Sequence, residues 1–313
     1  MFKFGLALGG GAAKGFAHLG VLKVLEDNGL IPDLIVGTSM GAVVGAIYAW
    51  KVNAGETKEH FKRFLESEYY DRKTYQKFKE VDQKEPEGIW VALKHLITKG
   101  VIYGKTLTTQ SVLSQEDYEE DLEILVPITD FRQLKIPFGC IATDLIRGEE
   151  VLITSGNLRK AVMASAAIPG VYSPVITGNM FLVDGGATNK LPVNPAFQLG
   201  ADMVLGVSVS RHLEPSADLH SAMDIILRSN TVSTYRLDML QALNADFLLY
   251  PEVEDLHWAD FSQMETAMER GVRVAAENIE KIHRLIWKKR VKKRLWPVRK
   301  RRLYHPARVI SIA

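Results

Sequence analysis

The feature that most constrains this chain is a short motif at residues 37–41, which reads G-x-S-x-G. This pattern is typical of a nucleophile elbow, in which a serine lies on a sharp turn between a strand and a helix. An apolar run at 33–36 precedes the motif, and a run of small apolar residues at 42–50 follows it. The glycines at its two ends leave room for a tight turn. A chance match in a chain with 24 glycines is the alternative. The flanking pattern favours the elbow, so Ser39 is the candidate nucleophile.

A second glycine-rich segment, 9–15, lies between a predicted strand at 2–8 and a helical pattern that ends near Gly29. It does not match a phosphate-binding P-loop or a dinucleotide fingerprint, because both need glycine or hydroxyl residues where Lys14 and Phe16 stand. Small residues at a helix N-terminus can instead point backbone N–H groups at an oxyanion. The segment is therefore a candidate oxyanion hole, and we assign Lys14 no chemistry.

Alternating strand and helix patterns predict an α/β fold with a parallel sheet. Cys140, the one cysteine of the chain, lies in an apolar stretch and is interpreted as a core residue. Region 67–115 has weak periodicity. It is either a helical cap or lid over the sheet or a peripheral insertion. We predict strands at 2–8, 33–36, 137–143, 150–153, 181–183, 203–209 and 245–250, and later helices at 56–66, 158–165, 218–243 and from 263.

Composition gives an expectation about compartment. A single cysteine allows no intrachain disulfide and suits a reducing environment. The N-terminus lacks the basic region and cleavage site of a signal peptide, and no stretch reaches the roughly 18 apolar residues of a membrane span. We therefore expect a cytoplasmic protein, with peripheral attachment to a membrane as the open question.

Charge divides the chain into two predicted parts. Residues 281–313 hold 13 Lys or Arg and no acid. Subtracting these 13 from the 39 basic residues of the chain leaves 26 against 37 acidic residues in 1–280. The prediction is a hydrolase domain at 1–280 and a basic C-terminal tail at 281–313. Basic residues interleaved with tryptophans at 281–302 suit an anionic membrane surface. Two alternatives stay open: a helix that continues against the core and ends in a solvated charge run, and, less favoured, a nucleic-acid contact.

A serine nucleophile needs a group to accept its proton. Asp184 follows a predicted strand and precedes two glycines, which is a better setting than that of any histidine. His212 is the nearest alternative, because it follows the predicted strand 203–209. The residues alone leave the choice between Asp184 and a histidine-based triad open. The histidines after Ser39 are His60, His95, His212, His220, His257, His283 and His305.

Together these motifs resemble the patatin-like phospholipase family, and its short bacterial members most closely. The resemblance covers about residues 5–210 and includes the segment 165–174. It implies a three-layer α/β/α fold with a mainly parallel central sheet, and a Ser39–Asp184 dyad rather than a triad. The implied oxyanion hole is Gly10, Gly11 and Ala12. The matching motif residues are Gly9, Lys14, Gly15, Gly37, Gly41, Gly185, Gly186, Asn189 and Pro192.

One residue departs from the family pattern. Plant patatins carry glycine where this chain has Ala12. An alanine N–H can still donate, so the hole is expected to survive provided that Ala12 needs no positive φ.

The resemblance implies a serine acyl-ester hydrolase acting on lipids, of phospholipase A or lysophospholipase type. The alternatives are a thioesterase or general carboxylesterase, and a non-catalytic lipid-binding scaffold. No cofactor is expected, and no group of His, Cys and carboxylate residues has metal-ligand spacing.

Overall fold

The centre of the protein is a nine-stranded sheet with helices on both faces. The computed structural model describes residues 1–67, 111, 115–210, 212, 213, 215, 219–295 and 306–313. The strands are β1 (Phe4–Leu8), β2 (Leu34–Thr38), β3 (Phe138–Asp144), β4 (Glu149–Gly156), β5 (Val175–Thr177), β6 (Met180–Asp184), β7 (Met203–Val207), β8 (Phe247–Leu249) and β9 (Arg308–Ile312).

The helices of the described residues follow in the same chain order. They are α1 (Ala17–Asp27), α2 (Met40–Lys51), α3 (Ala54–Leu65), α4 (Gln115–Leu125), α5 (Leu158–Ser165), α6 (Val193–Gln198), α7 (Ala222–Ala242) and α8 (Met264–Leu295). Region 67–115, predicted to be a cap or an insertion, lies almost entirely outside the described residues. No helix of the part that is described is long and apolar enough to cross a membrane.

The sheet order is β5-β6-β3-β2-β1-β7-β8, with β4 paired to β3 and β9 paired to β4. Strands β1, β2, β3, β7 and β8 are parallel, whereas β4 and β6 run antiparallel to β3. The predicted three-layer α/β/α fold with a mainly parallel sheet is confirmed.

Strands β2 and β6 meet end to end along one side of β3. In β2, Thr38 lies opposite Ile141. In β6, Asp184 lies opposite Ala142, the next residue of β3. The other side of β3 is occupied by β4 over the same stretch. The last residue of β6 is thus placed directly beyond the last residue of β2.

Helices α1 and α8 cross in backbone contact on the face of the sheet that carries the larger of the two apolar clusters. A Cβ atom at Gly20 would lie 2.0 Å from the Met268 carbonyl oxygen, and one at Gly271 would lie 2.0 Å from the Ala17 carbonyl oxygen. Both glycines are required for this close approach, because a Cβ atom in either place would force the helices apart.

Helix α8 runs without a break through residue 280, the position where the sequence analysis divides the chain into a domain and a tail. Helix α8 continues to Leu295 and buries Ile282 and Ile286 in the core. Strand β9 then joins the main sheet beside β4. Ile282 and Ile286 thus follow the alternative in which the helix continues against the core.

Two of the basic residues of this part of α8 form ion pairs with aspartates. The Lys289 amino group lies 2.5 Å from Asp246, and the Lys293 amino group lies 2.6 Å from Asp202. These aspartates directly precede β8 and β7, so this end of α8 lies at the amino-terminal edge of the parallel strands. The opposite edge carries Ser39, which directly follows β2.

Candidate active site

Ser39 occupies the strained position of the elbow. It directly joins β2 to α2, and its backbone has φ 54° and ψ −125°. A non-glycine residue in such a conformation costs about 1–3 kcal/mol, and residues of this kind cluster at functional sites. The turn takes Ser39 out of the sheet. The residue nevertheless stays largely enclosed, because it is only 8% exposed.

The two motif glycines are required by backbone packing. A Cβ atom at Gly37 would lie 2.3 Å from the Gly41 carbonyl oxygen, and one at Gly41 would lie 2.2 Å from the Leu8 carbonyl oxygen. Because both clashes are with main chain, the turn cannot be built with any other residue at these positions without moving β1 or α2.

The Asp184 carboxylate lies beside the Ser39 hydroxyl. One carboxylate oxygen accepts the Gly186 N–H at 2.7 Å. Burial raises the pKa of Asp184 to about 6, and the neighbouring Ser39 hydroxyl, the Gly186 N–H and the charge of Lys190 limit the increase. At neutral pH the carboxylate is therefore mostly ionised, and it is a stronger base than an ordinary aspartate.

The histidines of the described residues take other roles. His212 is exposed and lines a cavity beneath α7. His60 donates through Nε2 to the Leu125 carbonyl oxygen at 2.8 Å. The alternative of a histidine-based triad gains no support from this arrangement, whereas the strand geometry brings Ser39 and Asp184 together.

The glycine loop lies directly against Ser39, since a Cβ atom at Gly10 would lie 3.1 Å from the Ser39 Cβ. The Gly10 N–H, however, already donates to the Lys190 carbonyl oxygen at 3.0 Å. In this arrangement the Gly10 N–H is engaged by main chain, and its place in an oxyanion hole stays a prediction. The N–H groups of Gly11 and Ala12 donate to no acceptor among the described residues.

Ala12 does adopt a positive φ, 47°, contrary to the condition set by the sequence analysis. The loop forms with alanine there all the same. The left-handed conformation costs an alanine about 1 kcal/mol relative to glycine, which is a modest destabilisation rather than a steric exclusion.

Three residues that the sequence analysis missed hold the loop and the elbow. His18 donates through Nε2 to the Gly9 carbonyl oxygen at 2.7 Å, and burial lowers its pKa to about 4, so the ring is neutral at physiological pH. The Trp258 carbonyl oxygen accepts the Ala13 N–H at 2.8 Å. The buried Ser165 hydroxyl accepts the Ser39 N–H at 3.1 Å. Each contact is long-range or backbone-mediated, so no local sequence pattern marks it.

Lys14, the motif lysine, lies beside the glycine loop, and main chain binds its amino group. Its amino group donates to the Glu254 carbonyl oxygen at 2.9 Å. Burial lowers its pKa, and the nearby charge of Lys190 acts in the same direction. This agrees with the assignment of no chemical role.

A small apolar cavity of about 40 Å³ opens beside the glycine loop. Its lining contains no Asp, Glu, His, Lys or Arg and consists of Ala12, Ile168, Val171, Tyr172, Trp258, Ala259 and Phe261. Such a lining suits an aliphatic group next to the reacting atoms. Within the described ranges, no group of three or more His, Cys, Asp or Glu side chains could hold a metal ion.

Comparison with known sequences gives a family match. The profile of the patatin-like phospholipases matches residues 6–197. An NTE family protein of Mycobacterium tuberculosis is 31% identical over 207 residues, which cover 66% of this chain and 48% of that protein. A lysophospholipase of Mycosarcoma maydis is 25% identical over 301 residues, covering 88% of this chain and 15% of the fungal protein. The chain thus spans about half the length of the mycobacterial relative, and less of the fungal one.

Solved structures give similar matches over most of the chain at low sequence identity. VipD from Legionella pneumophila matches with a TM-score of 0.46 and 14% identity, covering 92% of this chain and 67% of that chain. The type III effector protein ExoU matches with a TM-score of 0.38 and 13% identity, covering 92% of this chain and 53% of that chain.

Proposed function

Because this chain belongs to the patatin-like phospholipase family, we propose that it hydrolyses the carboxylic esters of phospholipids or lysophospholipids with a Ser39–Asp184 dyad. The placement of the Asp184 carboxylate beside the Ser39 hydroxyl, where β2 and β6 meet, carries the proposal. A strained, enclosed serine paired with a carboxylate of raised pKa is the arrangement that activation of a hydroxyl nucleophile needs.

In the proposed reaction the Ser39 oxygen attacks the ester carbonyl carbon while its proton passes to Asp184. The tetrahedral oxyanion accepts hydrogen bonds from the N–H groups of Gly11 and Ala12, which have no acceptor among the described residues. Collapse of this intermediate breaks the ester bond, and Asp184 returns the proton to the leaving alcohol. Water then attacks the acyl-enzyme, with Asp184 as base again, and releases the fatty acid.

The apolar cavity beside Ala12 supports a lipid acyl chain as the group next to the ester. The mycobacterial and fungal relatives are named as NTE family proteins and include a lysophospholipase, and this chain is proposed to share that substrate class. A cavity of about 40 Å³ accommodates only the first carbons of a chain, so the rest of the chain must extend beyond it.

The test is turnover of p-nitrophenyl esters and of lysophospholipid by the purified protein. Ser39→Ala and Asp184→Asn should each reduce kcat/KM by at least about a thousandfold, and the double variant should be little worse than either, because the two groups act as one unit. His212→Ala is the control and should retain normal turnover. Loss of activity in that control with full activity in Asp184→Asn would reject the dyad.

A further inference from the structure

Helix α7 carries large apolar side chains on its solvent face. Their exposed fractions lie between 37% for Leu237 and 78% for Leu243, which directly follows the helix. At 100° per residue they fall within an arc of about 160° that runs the length of the helix. A face of this size and composition is an interaction surface rather than ordinary scattered exposure. The set is Ile225, Ile226, Val232, Leu237, Met239, Leu240 and Leu243.

None of these side chains belongs to the core formed by the described residues. Among the described side chains of α7, Ala242 is the apolar one that is buried in the cluster beneath. A cavity of about 240 Å³ separates part of the helix from the end of the sheet. The apolar face is therefore not covered by the part of the chain that the structure describes.

The acidic side chains of α7 are buried, and an arginine lies on its exposed face. Its two acidic residues, Asp224 and Asp238, are buried, with 5% and 4% exposure. Arg236 is exposed on the apolar face, and Arg228 is half-buried. The exposed face of α7 thus carries the Arg236 guanidinium and neither of the two aspartates of the helix. This charge complements anionic phospholipid headgroups.

Three hydroxyl groups of α7 are hydrogen-bonded within the helix. Thr231 donates to the Leu227 carbonyl oxygen at 2.9 Å, and Ser233 and Thr234 donate to carbonyl oxygens one turn earlier at 3.0 Å. Because these three hydroxyl hydrogens are already bonded, removing them from water leaves none of the three without an acceptor.

The last turn of α7 is connected to Asp184 by three hydrogen bonds. Gln241 donates to the Thr188 carbonyl oxygen at 2.8 Å. The Thr188 and Thr143 hydroxyls are 2.8 Å apart, and the Thr143 hydroxyl is 3.2 Å from the Asp184 carbonyl oxygen. A lipid surface held by α7 would therefore lie beside the candidate active site.

We infer that the exposed face of α7 docks on the surface of a phospholipid bilayer and brings the active site to its substrate. The inference rests on the lipid hydrolysis proposed above. It places the membrane contact on α7 and not on the basic part of α8, whose Lys289 and Lys293 are paired with Asp246 and Asp202 at the far edge of the sheet.

The test compares two matched pairs of substitutions in the full chain carrying Ser39→Ala, so that binding is measured without turnover. The α7 pair is Ile226→Glu with Leu240→Glu, both 62% exposed. The α8 control pair is Trp287→Glu with Leu295→Glu, 65% and 64% exposed. Co-sedimentation uses vesicles of one part phosphatidylglycerol to three parts phosphatidylcholine.

The parent protein, which carries Ser39→Ala alone, should bind the vesicles. The α7 pair should lower the vesicle partition coefficient by at least about tenfold, and the α8 pair should leave it within about twofold of the parent. Equal binding by the α7 pair, an equal loss in the α8 pair, or no binding by the parent would overturn the inference. Circular dichroism checks the fold, and a Gln pair at the two α7 positions replaces the Glu pair if that variant unfolds.

Two further measurements distinguish a lipid surface from a second copy of the chain, and the membrane contact from the proposed hydrolysis. Analytical ultracentrifugation should show a parent monomer; a dimer that the α7 pair dissociates would assign the face to a second copy of the chain and reject the lipid surface. With Ser39 restored in both, the α7 pair and the otherwise unsubstituted chain should hydrolyse soluble p-nitrophenyl butyrate equally well. Absent turnover in both of these proteins, together with α7-dependent binding, would reject the proposed function and leave the membrane contact of α7 standing.

Discussion

Ser39 and Asp184 lie side by side at the point where β2 and β6 meet end to end. The two strands approach from opposite directions along one side of β3. Each ends in a turn that its own glycines permit. The proximity of the serine and the carboxylate is therefore a property of strand order and register.

The raised pKa of Asp184 predicts a stability cost at neutral pH. A folded-state pKa of about 6 against an ordinary 3.8 means that the folded protein binds the proton more tightly than the unfolded chain. Stability from this group is full below pH 3.8 and is lost as pH rises through 6. Asp184→Asn should therefore stabilise the protein at pH 7, by at most about 3 kcal/mol.

The measurement is urea unfolding of both proteins between pH 4 and pH 8. The gain in Asp184→Asn should shrink to less than about 1 kcal/mol near pH 4, where the wild-type carboxyl is protonated in the folded state and about half-protonated in the unfolded chain. His18 cancels in this comparison because both proteins contain it. In the wild type, kcat/KM for a soluble ester should rise with pH to a plateau, with half its maximum near pH 6. A gain in stability that did not change with pH would contradict the assignment.

Covalent labelling should identify the nucleophile directly. A fluorophosphonate needs an activated serine beside oxyanion donors, so it should modify Ser39 and no other residue. Peptide mass spectrometry locates the adduct, with the heat-denatured protein and Ser39→Ala as controls. Esterase activity in a protein that remains unlabelled would mean that another residue is the nucleophile.

The positive φ of Ala12 predicts an unusual response to glycine. Ala12→Gly should leave the free energy of unfolding within about 1 kcal/mol of the wild type, since relief of the left-handed conformation offsets the lost methyl group. Ala13 is the next residue, and its φ is not positive. Ala13→Gly should therefore lower the free energy of unfolding by about 1 kcal/mol or more. Equal losses in chemical denaturation of the two variants would show that Ala12 is not strained.

The crossing of α1 and α8 should be sensitive to a single methyl group. Gly20→Ala or Gly271→Ala would place a Cβ atom against a main-chain carbonyl group. Each should destabilise the fold by about 1–3 kcal/mol despite the better helix propensity of alanine. Gly55→Ala on α3, whose Cβ would meet only the Asn53 side chain at 3.3 Å, is the control and should be neutral or stabilising. Thermal unfolding of all three variants decides the matter.

Much of the fold could be predicted because its signals are local. The elbow at Ser39 needs glycines within two residues and apolar runs on either side, and all of these are visible in the sequence. Helix α5 was predicted with its observed bounds, and β3 and α8 within about one residue at their described starts. The strand leading to Asp184 was predicted too, but its antiparallel direction depends on pairing with β3, which no local pattern encodes.

Other features depend on tertiary contacts or on competing patterns. The bond from the Gly10 N–H to Lys190 joins segments far apart in the chain. The sequence leaves the burial of Ile282 and Ile286 as an alternative, because their spacing of four residues indicates a buried helical face while the basic charge of 281–313 suits a membrane surface. The periodicity of α7 predicted a helix, but periodicity alone does not say which of its faces is buried.

The meeting of β2 and β6 also bears on how the protein reaches its working state. The two proposed catalytic groups are separated by 184 − 39 = 145 positions along the chain. Contacts between such distant segments form late in folding, because loop closure must be completed before they contribute. Partially folded chains would then hold a serine without its base, so hydrolytic competence would arise only when the sheet is complete.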